Sequence, residues 1–168
     1  MATTNVELEQ LAKFLGIHIN SVLLQDDLEE TKAVNGSYII NYGDEKNGGT
    51  HWVLLIVENS SAFFFDSFGA HYSQDIERFI GHIPHKAYNQ YIVQDLDSSL
   101  CGWYCLAMIK YNKLFKTTKN TLFNRCNDFI NLFQDDTEKN GPLLRQMFMN
   151  WLKDTNIPKG YYKILQQK

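Results

Sequence analysis

Gln94-Asp-Leu-Asp-Ser-Ser-Leu-Cys101-Gly102-Trp103-Tyr104-Cys105 opens an almost wholly apolar run that continues through Met108 and Ile109 and then gains Lys110, Lys113 and Lys116. Such a run reads as a helix buried in its first half, capped by Ser98 or Ser99 and closed by cations that suit its C-terminal dipole. The thiol of Cys101 falls in the first turn, where unpaired backbone amides favour a thiolate. The Cys101 amide can face a developing oxyanion, and Gly102 removes a Cβ next to the sulfur, which would let a substrate backbone approach.

Working upstream, Trp52 to Glu58 and Ala62 to Asp66 are rich in Val, Ile and Phe and are separated by the turn signal Glu58-Asn-Ser-Ser61. An antiparallel hairpin is expected. His51 then opens one strand and Asp66 closes the other, so the two side chains meet at the same end of the pair. An imidazole beside a carboxylate, with a thiol downstream, is the side-chain set of a nucleophilic hydrolase.

Six further elements follow from the pattern of the chain. Val6 to Leu15 has apolar residues at helical spacing, with Asn5 as N-cap and Gly16 as stop. Ser37 to Tyr42 reads as a strand, Tyr72 to Ile80 as a short helix, and Ala87 to Gln94 as another strand. Asn120 to Phe133 and Pro142 to Leu152 read as helices, with a polar stretch after the second. Phe63, Phe64 and Phe65 should alternate between the two sides of a sheet.

At 168 residues and 44% hydrophobic, the chain suits one domain, 1–168, with one sizeable core. Sixteen basic against nineteen acidic side chains, net −3, supply no general field for nucleic acid, so any DNA contact needs a local patch. Three cysteines do not make a disulfide framework at this length, and Cys105 and Cys126 read as small core residues. His71, His82 and His85 match no zinc spacing, and no metal or other cofactor is expected. No apolar run reaches membrane-spanning length and the first ten residues are no signal peptide, so a protein that is not secreted is expected; a monomer is a separate expectation.

The order His51-Trp52, Asp66, Gln94, Cys101-Gly102 resembles the adenain-like cysteine peptidases and, more broadly, the SUMO-protease-like superfamily. The separation 101 − 94 = 7, Cys-Gly-aromatic-Tyr-Cys through Cys105, Gly48-Gly49-Thr50-His51-Trp52 and the helix ending in Leu15-Gly16 carry the resemblance. It implies an α+β, papain-like fold of the adenain type: a central mixed or antiparallel sheet flanked by helices, with the nucleophile at a helix N-terminus. It implies Cys101 as nucleophile, His51 as base and then acid, Asp66 as its orienting group, and Gln94 with the Cys101 amide as oxyanion hole. Trp52 would wall a narrow substrate groove, and Gly102 is the second substrate-binding candidate.

The implied function is a viral endopeptidase that cleaves capsid or core precursor polypeptides at glycine-containing sites during maturation, in the virion and the host cell interior. Alternatives with the same residues are an isopeptidase for ubiquitin-like modifiers, an acetyl-coenzyme A-dependent acetyltransferase, and a non-catalytic peptide-binding homologue. The orienting acid is Asp, as in the SUMO-protease branch, and no cysteine precedes Gln94. A peptide activator held through a disulfide at that position, as in adenain, is therefore not expected.

Overall fold

The computed structural model describes residues 3–28, 31–43 and 51–166. Gly48, Gly49 and Thr50 of the resemblance lie outside the described residues. Five strands form one mixed sheet in sequence order: β1 (Ser21–Leu24), β2 (Gly36–Asn41), β3 (Trp52–Glu58), β4 (Ser61–Phe65) and β5 (His85–Tyr88). The central β2–β3 and β3–β4 pairs are antiparallel, whereas β1 and β5 join the two edges in parallel.

The β3–β4 hairpin forms as its turn residues require. Asn59 takes the left-handed conformation (φ 55°), which asparagine tolerates, and Glu58 pairs with Ser61. From there the register runs back to Leu54 opposite Phe65, so His51 and Asp66 fall just beyond the paired residues at one end.

Helices cover both faces of the sheet. On one face, Ile39, Leu54, Ile56, Phe63 and Phe65 join the side chains of α1 (Asn5–Leu15), α3 (Cys101–Phe115), α4 (Leu122–Ile130), α5 (Asn140–Leu152) and α6 (Lys159–Leu165). On the other, Ile40, Val53, Leu55 and Phe64 meet Leu28, Ala33 and α2 (Gln74–Phe79). Burial on both sides explains why β3 is an unbroken apolar run instead of an alternating one. The consecutive phenylalanines divide between the faces as strand geometry dictates.

Several boundaries differ from expectation. The N-cap of α1 is Thr4, not Asn5: Thr4 and Glu7 form a reciprocal capping box, a stronger arrangement than a lone asparagine. The strand expected from Ala87 to Gln94 ends at Tyr88, because Asn89 turns its amide onto the backbone of Asp66 and Tyr91. β1 and α6 were not expected; each is short. The N-cap position of α3 is Leu100, and neither Ser98 nor Ser99 caps it. Its terminal lysines serve α1 instead: Lys110 Nζ donates to the Leu15 carbonyl at 2.7 Å and Lys113 Nζ to that of Gly16.

Candidate active site

The hairpin end and the start of α3 bring the predicted residues together. His51 Nε2 lies 2.8 Å from Asp66 Oδ1, and the Cys101 side chain is the second polar group acting on the imidazole. Burial opposes a charge on His51, but the hydrogen bond to Asp66 and the neighbouring Cys101 side chain, with the field of both, raise its pKa to about 9. The ring of Phe68 packs on the imidazole at 4.9 Å between centroids, with Tyr42 at 6.4 Å. These contacts leave the His51 side chain 24% exposed over an almost buried Asp66.

Asp66 is held from three sides. Its Oδ1 also accepts the Phe68 N–H at 2.8 Å, and Asn89 binds its backbone through Asp66 N–H to Asn89 Oδ1 (2.9 Å) and Asn89 Nδ2 to the Asp66 carbonyl (2.6 Å). The next carbonyl, of Ser67, accepts both Val93 N–H (2.9 Å) and Gln94 N–H (3.1 Å). Asp66 and Gln94 therefore belong to one hydrogen-bonded clip. Asn140, fully buried on α5, fastens the far side by donating to the Val93 carbonyl at 2.9 Å.

Gln94 is 1% exposed, with Oε1 accepting from Ser67 Oγ at 2.6 Å and Nε2 donating to the Ser98 carbonyl at 2.9 Å. Cys101 is the first residue of α3 and is 5% exposed. Because no side chain caps this helix, the amides of its first turn are not occupied by Ser98 or Ser99. A serine cap there would compete with an oxyanion for the same donors.

The other thiols are placed for packing. Burial pushes Cys105 well above its ordinary pKa, and its Sγ contacts the Trp52 carbonyl at 3.6 Å. Cys126 is pushed up to about 12, again by burial. Among the described residues no cluster of His, Cys, Asp or Glu could hold a metal.

Trp52 and Gly102 stand elsewhere than expected. Trp52 is 4% exposed, in the core, and its indole N–H donates to the Thr3 carbonyl at 2.8 Å. A Cβ on Gly102 would stand 2.8 Å from Leu8 Cδ2 and 3.3 Å from Trp52 Cδ1. The glycine thus lets α3 approach α1 and Trp52; the space is filled by core side chains, not left for a substrate. Sequence reasoning did not single out Ser67, Phe68, Asn89 or Asn140. For the first two the signal was position, directly after the acid.

No protein-family model and no curated protein matches the chain. Solved structures do: the ASFV pS273R protease, in two crystal structures, at 16% and 18% identity over 58% and 59% of this chain, with TM-scores of 0.38 and 0.36. A structure of AvrA with IP6 and CoA is similar at 16% identity over 96% of this chain, with a TM-score of 0.43. The chain spans 44% and 43% of the two protease chains and 66% of the AvrA chain, so its chemistry has to be read from its own residues.

Proposed function

We propose that this chain is a cysteine peptidase of the SUMO-protease-like superfamily, with Cys101 as nucleophile. The observation that carries the proposal is the row Asp66–His51–Cys101 at the uncapped start of α3, with the carboxylate hydrogen-bonded to the imidazole and the thiol acting on it from the other side. Asp66 accepts from Nε2, which turns the other imidazole nitrogen, Nδ1, to proton exchange with the thiol. The Cys101 sulfur adds to the substrate carbonyl, and the resulting oxyanion takes hydrogen bonds from the Cys101 amide and the Gln94 side chain. His51 protonates the leaving amine, giving a thioester. Water attacks it with His51 as base, the carboxylate leaves, and the thiol regains its proton.

The finer reading is an endopeptidase of the adenain type, acting as a monomer on viral capsid or core precursors at glycine-containing junctions inside the virion or host cell. The glycine preference draws on the resemblance alone, because Trp52 is in the core. Peptide-library profiling by mass spectrometry tests both levels. Cleavage that clusters at glycine and disappears in Cys101→Ala is expected. Cleavage that persists in Cys101→Ala overturns the peptidase assignment. Rapid labelling of Cys101 by a ubiquitin-like vinyl sulfone, with no peptide cleavage, replaces the endopeptidase by an isopeptidase.

A further inference from the structure

We infer that Ser67 is a positioning residue for the oxyanion site: its hydroxyl locks and polarises the Gln94 amide that faces the reacting carbonyl. The inference rests on the peptidase reading above. A glutamine amide has a carbonyl and an NH2 group of nearly equal shape, so packing does not choose its orientation and hydrogen bonds must. Here the two ends are fixed separately. The Ser67 hydroxyl donates to Oε1 at 2.6 Å, and Nε2 donates to the Ser98 carbonyl at 2.9 Å. A half-turn of the amide would set Oε1 against the Ser98 carbonyl, two acceptors face to face.

One Nε2 hydrogen is taken by Ser98, and the second has no acceptor among the described residues. That hydrogen is the donor available to an oxyanion. Donation from Ser67 into Oε1 draws electron density along the amide and makes the N–H at its other end a better donor. Without the hydroxyl, Oε1 would be buried with no donor, in a residue 1% exposed, and the side chain would be driven to find another.

The hydroxyl is separable from the rest of the clip. The Ser67 backbone carbonyl holds Val93 and Gln94 through their own N–H groups, and Asn89 holds Asp66. Ser67→Ala therefore removes one hydrogen bond with little change of volume and leaves the Asp66–His51 pair in place.

The test uses the full chain, the best-cleaved library peptide, its aldehyde analogue and iodoacetamide. Aldehyde addition forms an oxyanion at Cys101; alkylation by iodoacetamide does not. Ser67→Ala should lower kcat/KM by about 10- to 100-fold, less than the roughly 100- to 1000-fold typical of deleting an oxyanion donor outright. It should weaken the aldehyde by a similar factor and leave the alkylation rate of Cys101 unchanged. In a Gln94→Ala background it should cost nothing further, and Ser67→Thr should restore most of the activity. If Ser67→Ala does not fold, Ser67→Thr and Ser67→Cys, a weaker donor, supply the same ranking. Wild-type kcat/KM in Ser67→Ala, an undiminished loss in the Gln94→Ala background, or a parallel loss of alkylation each overturns the inference while the peptidase reading stands. A wild-type chain that cleaves no peptide overturns that reading, and this inference with it.

Discussion

The β3–β4 hairpin ends in a buried polar cluster at each tip, and the two are completed differently. At the turn end, Arg125 is 2% exposed and its guanidinium donates to Asn112 Oδ1 (3.1 Å), to the carbonyl and Oδ1 of Asn120 (3.3 and 3.0 Å) and to Glu58. Glu58 also meets Lys116 at 3.3 Å. Every arm of the cation has a protein partner, as a buried charge requires. At the open end, among the described residues, His51 keeps partial exposure, Gln94 has an N–H with no acceptor and α3 has no side-chain cap. A closed set of partners stabilises a fold, whereas an incomplete set is ready for a ligand. Concavity is the poorer guide: a cavity of about 540 Å³ lies beside Glu58 and Arg125, at the far end of β3 from His51.

The contrast can be broken by substitutions at both ends. The largest effect is expected at the open end: Cys101→Ala should reduce turnover by more than about 10⁴-fold with an unchanged urea midpoint. A comparable loss of folding would mean that the thiol is a core residue like Cys105. At the closed end, Arg125→Ala should cost about 2–4 kcal/mol in urea unfolding, because three side chains lose a buried donor, while kcat/KM per folded molecule stays at the wild-type level. A drop in kcat/KM at full folding would tie that cluster to the chemistry.

A third test uses pH. His51 has its folded pKa raised to about 9 from an ordinary 6.5. Its contribution to stability is thus fully present below about pH 6.5 and is lost as pH climbs through 9. The wild type should lose on the order of 1–3 kcal/mol over that window, and Asp66→Asn markedly less. The kcat/KM profile should fall on an alkaline limb near pH 9 as His51 loses the proton it gives to the leaving amine, and Asp66→Asn should move that limb to lower pH. Identical limbs in the two proteins would remove Asp66 from its role. The smallest effect is that of Gly102→Ala, about 1–2 kcal/mol from crowding Leu8, with substrate affinity unchanged. A raised KM at wild-type stability would return Gly102 to the substrate groove.

Much of the open end was legible in the sequence because its determinants are local. A turn signal between two β-branched and aromatic runs sets the hairpin register, and that register brings His51 and Asp66 to the same end of the pair. The thiol at the start of an apolar helix is visible in the same way. What escaped depends on contacts across long stretches of chain. Ser67 and Gln94 are 27 positions apart, and Glu58 and Arg125 are 67 apart. A polar residue in isolation does not announce such a partner. β1 escaped because a parallel edge strand of four residues brings no hairpin turn with it. α6 escaped because it is seven residues long and its buried side chains, Tyr161 and Leu165, give a single helical repeat, too little to establish a period. For Trp52 and Gly102 the sequence does not choose, because a large aromatic and a glycine beside His51 and Cys101 suit a groove and a core equally well until α1 is in position.

The indole of Trp52 is tied to the carbonyl of Thr3, just ahead of the capping box that starts the first helix. The residue next to His51 in the chain is thereby tethered to the amino-terminal segment, and pulling that segment outward would disturb the imidazole's own strand.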